Sequence, residues 1–191
     1  LGLAALYGLE ATSAEESHVL CLFATVDEAL DFSYFLERHI PALPYDPRIL
    51  GDQAVVDADE NVLDLLDRYL GGALDLGWDE LCAMADHRGA IVIPAHIDRP
   101  AYGVVAQLGF LPEGPYAAVE ATRPEARAQA RGYPVISGSD AHHPEHVGRR
   151  PFELDLPDGW RLRDGTVNLS ALRDALAAGR IRPFWELKVS P

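Results

Sequence analysis

Several signatures of common enzyme classes are missing from this chain of 191 residues. It has no GxGxxG, GxxxxGK[ST] or GxSxG motif, which argues against a dinucleotide site, a P-loop and a nucleophile elbow. No apolar run reaches the roughly 18–20 residues that cross a bilayer. The apolar first residues lack the basic leader and the cleavage site of a signal peptide. We therefore expect a cytoplasmic protein with no membrane partner.

Cysteine and positive charge are also scarce. Cys21 and Cys82 both stand in apolar runs, which predicts reduced core residues, with a disulfide or metal role as the alternative. Lys and Arg number 16 against 30 Asp and Glu, so the net charge is -14. Such a surface repels phosphate backbones at long range. We therefore expect no long nucleic acid. A small anionic substrate is not excluded, because bound divalent metals can reverse the local field. The oligomeric state is not indicated.

Short apolar runs alternate with longer amphipathic ones, in a length that suits one domain. Strands are predicted at Leu3–Tyr7, Val19–Ala24, Gln53–Asp57, Ala90–Ile93, Ala117–Ala121, Val135–Ile136 and Ile181–Val189. Helices are predicted from the capping box Thr25-Val-Asp-Glu28 to Pro41, and at Val62–Leu70, Leu76–Arg88, Gly103–Leu108, Arg123–Arg131 and Asn168–Gly179. This alternation indicates an α/β fold with a largely parallel sheet covered by helices.

Metal-ligating residue types stand at the edges of these apolar runs. Asp140 and His142 are two apart, and we expect them to point the same way on an extended segment. His96 follows another apolar run, and Glu10 and His18 border the first two. Imidazole and carboxylate together suit zinc, manganese or iron. The five residues are predicted to form one metal cluster.

A structural role is the alternative for each of these residues. Glu10 fits a surface or capping acid, and His18 a satisfied core histidine. His96 fits a turn in a Pro-rich loop, and Asp140 with His142 a helix cap.

Two further residues are candidates for catalysis. Arg99 can clamp a phosphate through two hydrogen bonds, or form a structural ion pair with Asp98. Asp98 itself can instead orient a ligand imidazole. His143 can face the substrate, or be an exposed loop histidine.

Four motifs in this order resemble the PHP (polymerase and histidinol phosphatase) family of metal-dependent phosphoesterases. The motifs are Gly8-Leu-Glu10, Glu16-Ser-His-Val-Leu20, Pro94-Ala-His96 and Gly138-Ser-Asp-Ala-His142. They cover most of residues 1–150. The resemblance implies a distorted (β/α)7 barrel with two or three divalent ions at its mouth.

The resemblance also implies a role for each predicted ligand. Glu10 would bridge two ions, and His18 and His96 would complete the shell of the second. Asp140 would belong to the first ion and His142 to the third. The implied activity is hydrolysis of a small phosphate ester by metal-activated hydroxide. The alternatives are a non-catalytic metal-binding or regulatory module, and a nuclease acting on short oligonucleotides.

The chain departs from the family pattern at its start, where the HxH motif of the first strand is absent. We expect residues 1–150 to form the metal-binding domain without its N-terminal strands, and residues 151–191 to add a loop, helix and strand to it. Either a preceding segment completes the site or the fragment itself is inactive. We favour a preceding segment, because the fold would otherwise expose a sheet edge.

Overall fold

The computed structural model describes residues 3–42 and 45–187. The strands in this part of the chain are β1 Tyr7–Thr12, β2 His18–Phe23, β3 Ala54–Val56, β4 Val62–Leu65, β5 Ile91–Pro94, β6 Val119–Glu120, β7 Val135–Ile136, β8 Glu153–Leu154 and β9 Ile181–Arg182. The α-helices are α1 Val26–Glu37, α2 Pro47–Leu50, α3 Trp78–His87, α4 Val104–Leu108 and α5 Leu169–Ala177, and short 3-10 helices lie at Pro124–Gln129, Pro144–His146 and Phe184–Glu186. None of the helices described is long and apolar enough to cross a membrane.

The main sheet has three strands in the order β1-β2-β5, and both of its pairings are antiparallel. The prediction of a largely parallel sheet is wrong for this part of the chain. Only residues 13–17 join β1 to β2, and a parallel connection needs a crossover of a dozen or more residues. Parallel pairing is confined, among the described strands, to β6 with β7.

The α/β class is confirmed, but the barrel is not. The described strands form one three-stranded and three two-stranded sheets, without closing into a barrel. A parallel bridge from Val92 to Tyr116 brings the segment before β6 next to β5.

The sheet is covered by helices on both faces. On one face Phe23 and Val92 pack with Phe32 of α1 and with Trp78 and Leu81 of α3, all buried. On the other face the buried residues Ile91, Ile93, Ile136 and Leu176 form a second apolar cluster. All four residues of β5 are therefore buried, as its continuous apolar sequence predicts.

Side-chain caps set the starts of the helices. The predicted capping box of α1 is confirmed: Thr25 Oγ1 accepts from the Glu28 N–H, and Glu28 accepts from the Thr25 N–H. Glu15 Oε2 accepts from the N–H of Trp78 at the start of α3. Asn168 caps α5 through its side-chain oxygen. These contacts satisfy N–H groups that the first helical turn leaves free.

Residues 62–70 are predicted as a helix but begin with strand β4, paired with β3 in an exposed hairpin. The turn explains the difference. Asp57 Oδ1 accepts from the backbone N–H groups of Asp59 and Asn61, an arrangement that reverses the chain locally.

The observed bounds of three further elements differ from the predicted ones. The first strand is Tyr7–Thr12 rather than Leu3–Tyr7, because pairing with β2 carries it past the apolar run. Residues 124–129 form a 3-10 helix within the predicted helix Arg123–Arg131. The predicted strand Ile181–Val189 is observed only at Ile181–Arg182, and its last two residues lie outside the described part of the chain.

Candidate metal centre

Glu10, His18 and His96 meet at one edge of the main sheet. Glu10 pairs with Leu20, so it lies diagonally across from His18 on the same face. Val19 pairs with Pro94, which places the loop carrying His96 beside the start of β2. The end of β1, the start of β2 and the end of β5 therefore share this edge, and the antiparallel register brings the three residues together.

The ligand atoms of these three side chains all lie within 4.8 Å of one another. Oε1 of Glu10 is 3.2 Å from Nδ1 of His18 and 3.3 Å from Nε2 of His96. Two imidazole nitrogens thus face one carboxylate oxygen. This donor set suits zinc, manganese or iron.

Hydrogen bonding tests whether the cluster fits a cation. Nδ1 of His18 is buried and forms no hydrogen bond within the described residues, although it lies against Glu10. Nδ1 of His96 is likewise buried without a partner there. Buried polar atoms are normally satisfied, so a His18 nitrogen left facing a carboxylate is the arrangement expected of a ligand. The three residues fit a divalent ion.

The charge of Glu10 also fits this interpretation. Burial by itself would raise the pKa of this carboxyl group, but the neighbouring imidazoles of His18 and His96 outweigh it and lower the pKa to about 2. Glu10 is therefore ionised at neutral pH, as a metal-binding carboxylate must be.

The backbone is strained at two of the predicted site residues. His96 has a φ of 31° and Asp140 a φ of 45°, in the region that residues other than glycine rarely occupy. A Cβ on Gly103 would lie 2.4 Å from the Arg99 carbonyl oxygen, so the loop after His96 closes only around a glycine. Strain of this kind costs about 1–3 kcal/mol and clusters at functional sites.

Tyr102 is a neighbour of the cluster that the sequence analysis missed. Its ring stacks on His18 with a centroid distance of 4.4 Å and an interplanar angle of 15°. The backbone carbonyl oxygen of Tyr102 accepts from the backbone N–H of His18 at 3.0 Å. No motif in the sequence indicated this contact, because the loop of residues 95–103 brings it about.

Glu120 was also missed, although it stands at the end of a predicted strand. Burial raises the pKa of this carboxyl group, Glu10 and Asp140 raise it further, and His96 and Arg150 act in the opposite direction. Its Oε1 is buried without a hydrogen bond among the described residues. Its carbonyl oxygen accepts from the Ile97 N–H at 2.9 Å, which places Glu120 beside the loop that carries His96. Its position at a strand end was the available signal.

Asp140 and His142 do not join the cluster in the described structure. Asp140 pairs with the guanidinium of Arg99. His142 Nδ1 lies 3.0 Å from the Asp140 carbonyl oxygen, and the His142 side chain is 73% exposed. The prediction of an extended segment is wrong here, because β7 ends at Ile136 and Asp140 adopts a left-handed backbone.

The two residues predicted to act in catalysis also lie apart from the cluster. Arg99 is held by Asp140, and the exposed His143 ring packs edge-on against His146 at 5.3 Å. The Arg99 backbone N–H donates to the His96 carbonyl oxygen at 2.9 Å, but in the described part of the chain no side-chain hydrogen bond or ion pair joins Arg99 or His143 to the cluster.

Asp98 has neither of its predicted roles. It is buried, and its two carboxylate oxygens accept from the backbone N–H and the hydroxyl of Thr122. Its third partner is Arg123, whose Nε lies 3.2 Å away. Asp98 therefore ties the loop after β5 to the loop after β6, and neither orients an imidazole nor pairs with Arg99.

A cavity of about 380 Å³ adjoins the cluster. Glu10 and His18 line it, together with the apolar side chains Leu9, Leu36 and Leu74. It can take an uncharged part of a substrate beside the ligand atoms. A larger cavity, of about 700 Å³, is lined by Glu15, Trp78 and Phe110 and by none of the three cluster residues.

Comparisons with known proteins agree with the family resemblance. Residues 122–181 match the family described as PHP-associated. The fold is similar to the lesion-specific endonuclease PfuEndoQ from Pyrococcus furiosus, with a TM-score of 0.58 and 18% identity over 91% of this chain and 39% of that one. It is also similar to Endonuclease Q in complex with a 27-mer duplex carrying an abasic lesion, with a TM-score of 0.55 and 17% identity over 88% and 38%. No curated protein sequence matches the chain.

These findings confirm the resemblance to the PHP family. The chain spans about two fifths of the length of the solved structures it matches. The prediction of an enzyme that acts on phosphoric esters agrees with these neighbours, since both are endonucleases.

The prediction of a small substrate and no long nucleic acid is wrong, because one neighbour is bound to a 27-mer duplex. The argument from net charge failed because the charge is segregated. Residues 1–97 contain 18 acidic side chains and four arginines, whereas residues 98–191 contain 12 acidic and 12 basic ones. The negative charge of the whole chain therefore says little about the surface near Asp140.

Proposed function

We propose that this chain contains the metal-binding part of a phosphoester hydrolase that acts on nucleic acid. The observation that carries the proposal is the convergence of Glu10, His18 and His96 within 4.8 Å. The likeness of the fold to two endonuclease structures supports the substrate class.

In this proposal Glu10, His18 and His96 hold one divalent ion, with zinc, manganese and iron as the candidates. Such an ion supplies acidity to a coordinated water and neutralises charge on phosphoryl oxygens. Glu10 contributes a carboxylate that stays ionised, and His18 is kept in position by the ring of Tyr102. The cavity beside Glu10 and His18, where Leu9, Leu36 and Leu74 supply apolar walls, takes the uncharged part of a substrate.

Asp140 and His142 are proposed as ligands of further ions. For this role Asp140 must exchange its Arg99 partner for a cation, and His142 must turn inward from solvent. His143 stays a prediction, as a residue that reaches the substrate from the exposed loop.

We propose that residues 151–191 belong to the same domain as residues 1–150, because the last segment packs against the rest. Leu176 of α5 shares a buried cluster with Ile93 and Ile136, and the Phe184 N–H donates to Ser137 Oγ at 2.9 Å. These contacts support residues 151–191 as part of the same domain as residues 1–150.

Metal content and DNA cleavage test the proposal together. The chain, dialysed against each candidate metal, is assayed by mass spectrometry for bound ion and on labelled duplexes with and without an abasic site for cleavage. His96→Ala should lose both, and His39→Ala, which alters a surface histidine bound to Asp75, should lose neither. Undiminished cleavage in EDTA, or by His96→Ala, would contradict the proposal. A series of duplex and short single-stranded substrates separates a nuclease for short oligonucleotides from one for long duplexes.

A non-catalytic metal-binding module is the second candidate. The pairing of Asp140 with Arg99 favours it, because only three of the five predicted ligands converge in the described structure. One bound ion per chain without cleavage of any substrate, in the full-length protein, would establish this alternative.

A further inference from the structure

Three arginines converge on the dipeptide Ser139–Asp140. Arg99 pairs with the Asp140 carboxylate. Arg149 donates from Nε to the Ser139 carbonyl at 2.8 Å and from Nη2 to the Asp140 carbonyl at 3.3 Å. Arg150 donates from Nη2 to the Ser139 carbonyl at 3.1 Å. We call these three residues the arginine rim.

The arginine rim carries more positive charge than its contacts neutralise. Asp140 supplies one carboxylate, while the other acceptors of the rim are uncharged carbonyl oxygens. A guanidinium has five N–H groups, and each rim arginine uses only one or two of them in the described structure. Arg150 Nε is buried and without a partner among the described residues. Donors are therefore left for an anionic ligand.

The rim lies next to the candidate metal centre. The backbone N–H of Arg99 donates to the His96 carbonyl oxygen at 2.9 Å, so a rim residue and a cluster residue belong to one turn. Glu120 forms a second link: its carbonyl oxygen accepts from the Ile97 N–H at 2.9 Å, and its Oε1 would lie 2.6 Å from a Cβ on Gly138, the residue before Ser139. A ligand that contacts the rim is thus held next to the loop that carries His96.

The segregation of charge favours an extended anion at this place. Residues 1–97 contain 18 acidic side chains and only four arginines, whereas residues 98–191 contain equal numbers of acidic and basic side chains. Arg99, Arg149 and Arg150 all belong to the balanced part, which repels an extended anion less than the acidic part does. Guanidinium groups match phosphate oxygens in geometry and hold them through paired hydrogen bonds.

We propose that the arginine rim binds the phosphate backbone of a nucleic acid strand and positions it beside the Glu10–His18–His96 cluster. This inference rests on the proposed function for the substrate class. It assigns a binding role to Arg149 and Arg150 and adds backbone contact to the role of Arg99. The contact is independent of base sequence, because it is made to phosphates.

Binding is measured apart from cleavage. Fluorescence anisotropy of a labelled duplex is recorded in EDTA over a series of salt concentrations, which removes turnover. For Arg149→Gln/Arg150→Gln we expect at least about a tenfold loss of affinity at low salt, and a salt slope shallower by about two, one for each lost phosphate contact. Arg149→Lys/Arg150→Lys keeps the charge and should retain most of the slope.

Arg48→Gln is the matched control, since Arg48 is exposed and bound to Asp46 in the acidic part of the chain. It should bind the duplex as the unaltered protein does. Equal binding by the double Gln variant, or an equal loss in the control, overturns the proposal. Full competition by millimolar inorganic phosphate also overturns it, because the rim would then be a site for a small anion only.

Thermal unfolding checks that the double variant is folded. If it is not, the exposed Arg149→Gln decides the question, with an expected slope change of about one. The two proposals fail separately: a chain that binds DNA through the rim in EDTA but never cleaves it refutes the hydrolase alone. A chain that cleaves DNA but binds it independently of the rim refutes only this inference.

Discussion

The Glu10–His18–His96 cluster and the Ser139–Asp140–His142 loop carry the same kinds of ligand but are held in different ways. In the cluster, paired strands set the positions of Glu10 and His18, and their ligand atoms converge with those of His96. In the loop, Asp140 lies beyond the end of β7 and is held by arginine. Backbone pairing therefore pre-forms one part of the site, while the other is arranged by side-chain charge.

This difference predicts how ion binding by each region responds when its metal-binding side chains are substituted. The cluster should lose its ion when any of its three residues changes, because all three donors are already in place. Substitutions in the loop should affect the bound ion less, because the contacts described for Asp140 and His142 are with other groups of the protein.

The largest effect is expected for His96→Ala. Removing a ligand should lower the affinity for a divalent ion by more than about 100-fold, beyond the loss typical of residues that merely support a ligand. His142→Ala, in the loop, should change the affinity of this ion by less than about threefold if the cluster binds independently. Isothermal titration with zinc and manganese measures both variants. An equal loss in both would mean that the two regions form one site.

Asp98→Ala should give the next largest effect, on stability. It removes the acceptor of the Thr122 N–H and hydroxyl and leaves Arg123 without its buried partner. We expect the free energy of unfolding to fall by about 2–3 kcal/mol. Urea unfolding provides the measurement, and Glu113→Ala, at an exposed ion pair with Arg131, should show a much smaller loss. Similar losses would show that the loops after β5 and β6 are not held by Asp98.

Glu120→Gln should have a smaller effect, which depends on pH. The pKa of Glu120 is raised by burial, so the folded protein binds this proton more tightly than the unfolded chain does. The contribution of protonated Glu120 to the free energy of unfolding is complete below the ordinary pKa of glutamate. It is lost as the pH rises through the raised pKa of the folded protein. In EDTA the variant should be more stable than the unaltered protein near pH 7.5 and equally stable near pH 4. An advantage that persisted in acid would contradict the assigned cause.

The smallest effect is expected for Tyr102→Leu, which removes the ring that stacks on His18. The affinity for the ion should fall about 2- to 10-fold, the equivalent of one aromatic contact. Tyr34→Leu serves as the control, because Tyr34 is 60% exposed. Titration calorimetry resolves the difference, and equal affinities would show that β1 and β2 position His18 without help from the loop.

Part of the site was predictable because ligand types leave a pattern along the chain. Glu10, His18 and His96 each border an apolar run, and this common placement was enough to group them. Glu120 has a similar placement, near the end of the predicted strand Ala117–Ala121, and was left out. Tyr102 was beyond prediction, because its contact depends on the path of the loop that follows His96.

The sequence by itself determined the caps of α1 and α5, the apolar strand β5 and the residue types at the strand ends, because these depend on neighbours a few positions apart. Only the tertiary structure decided the antiparallel order β1-β2-β5, the pairing of Arg99 with Asp140 and the gathering of arginines at Ser139–Asp140. Backbone pairing and ion pairing join residues that are distant in sequence. No local pattern of side chains specifies which partners meet.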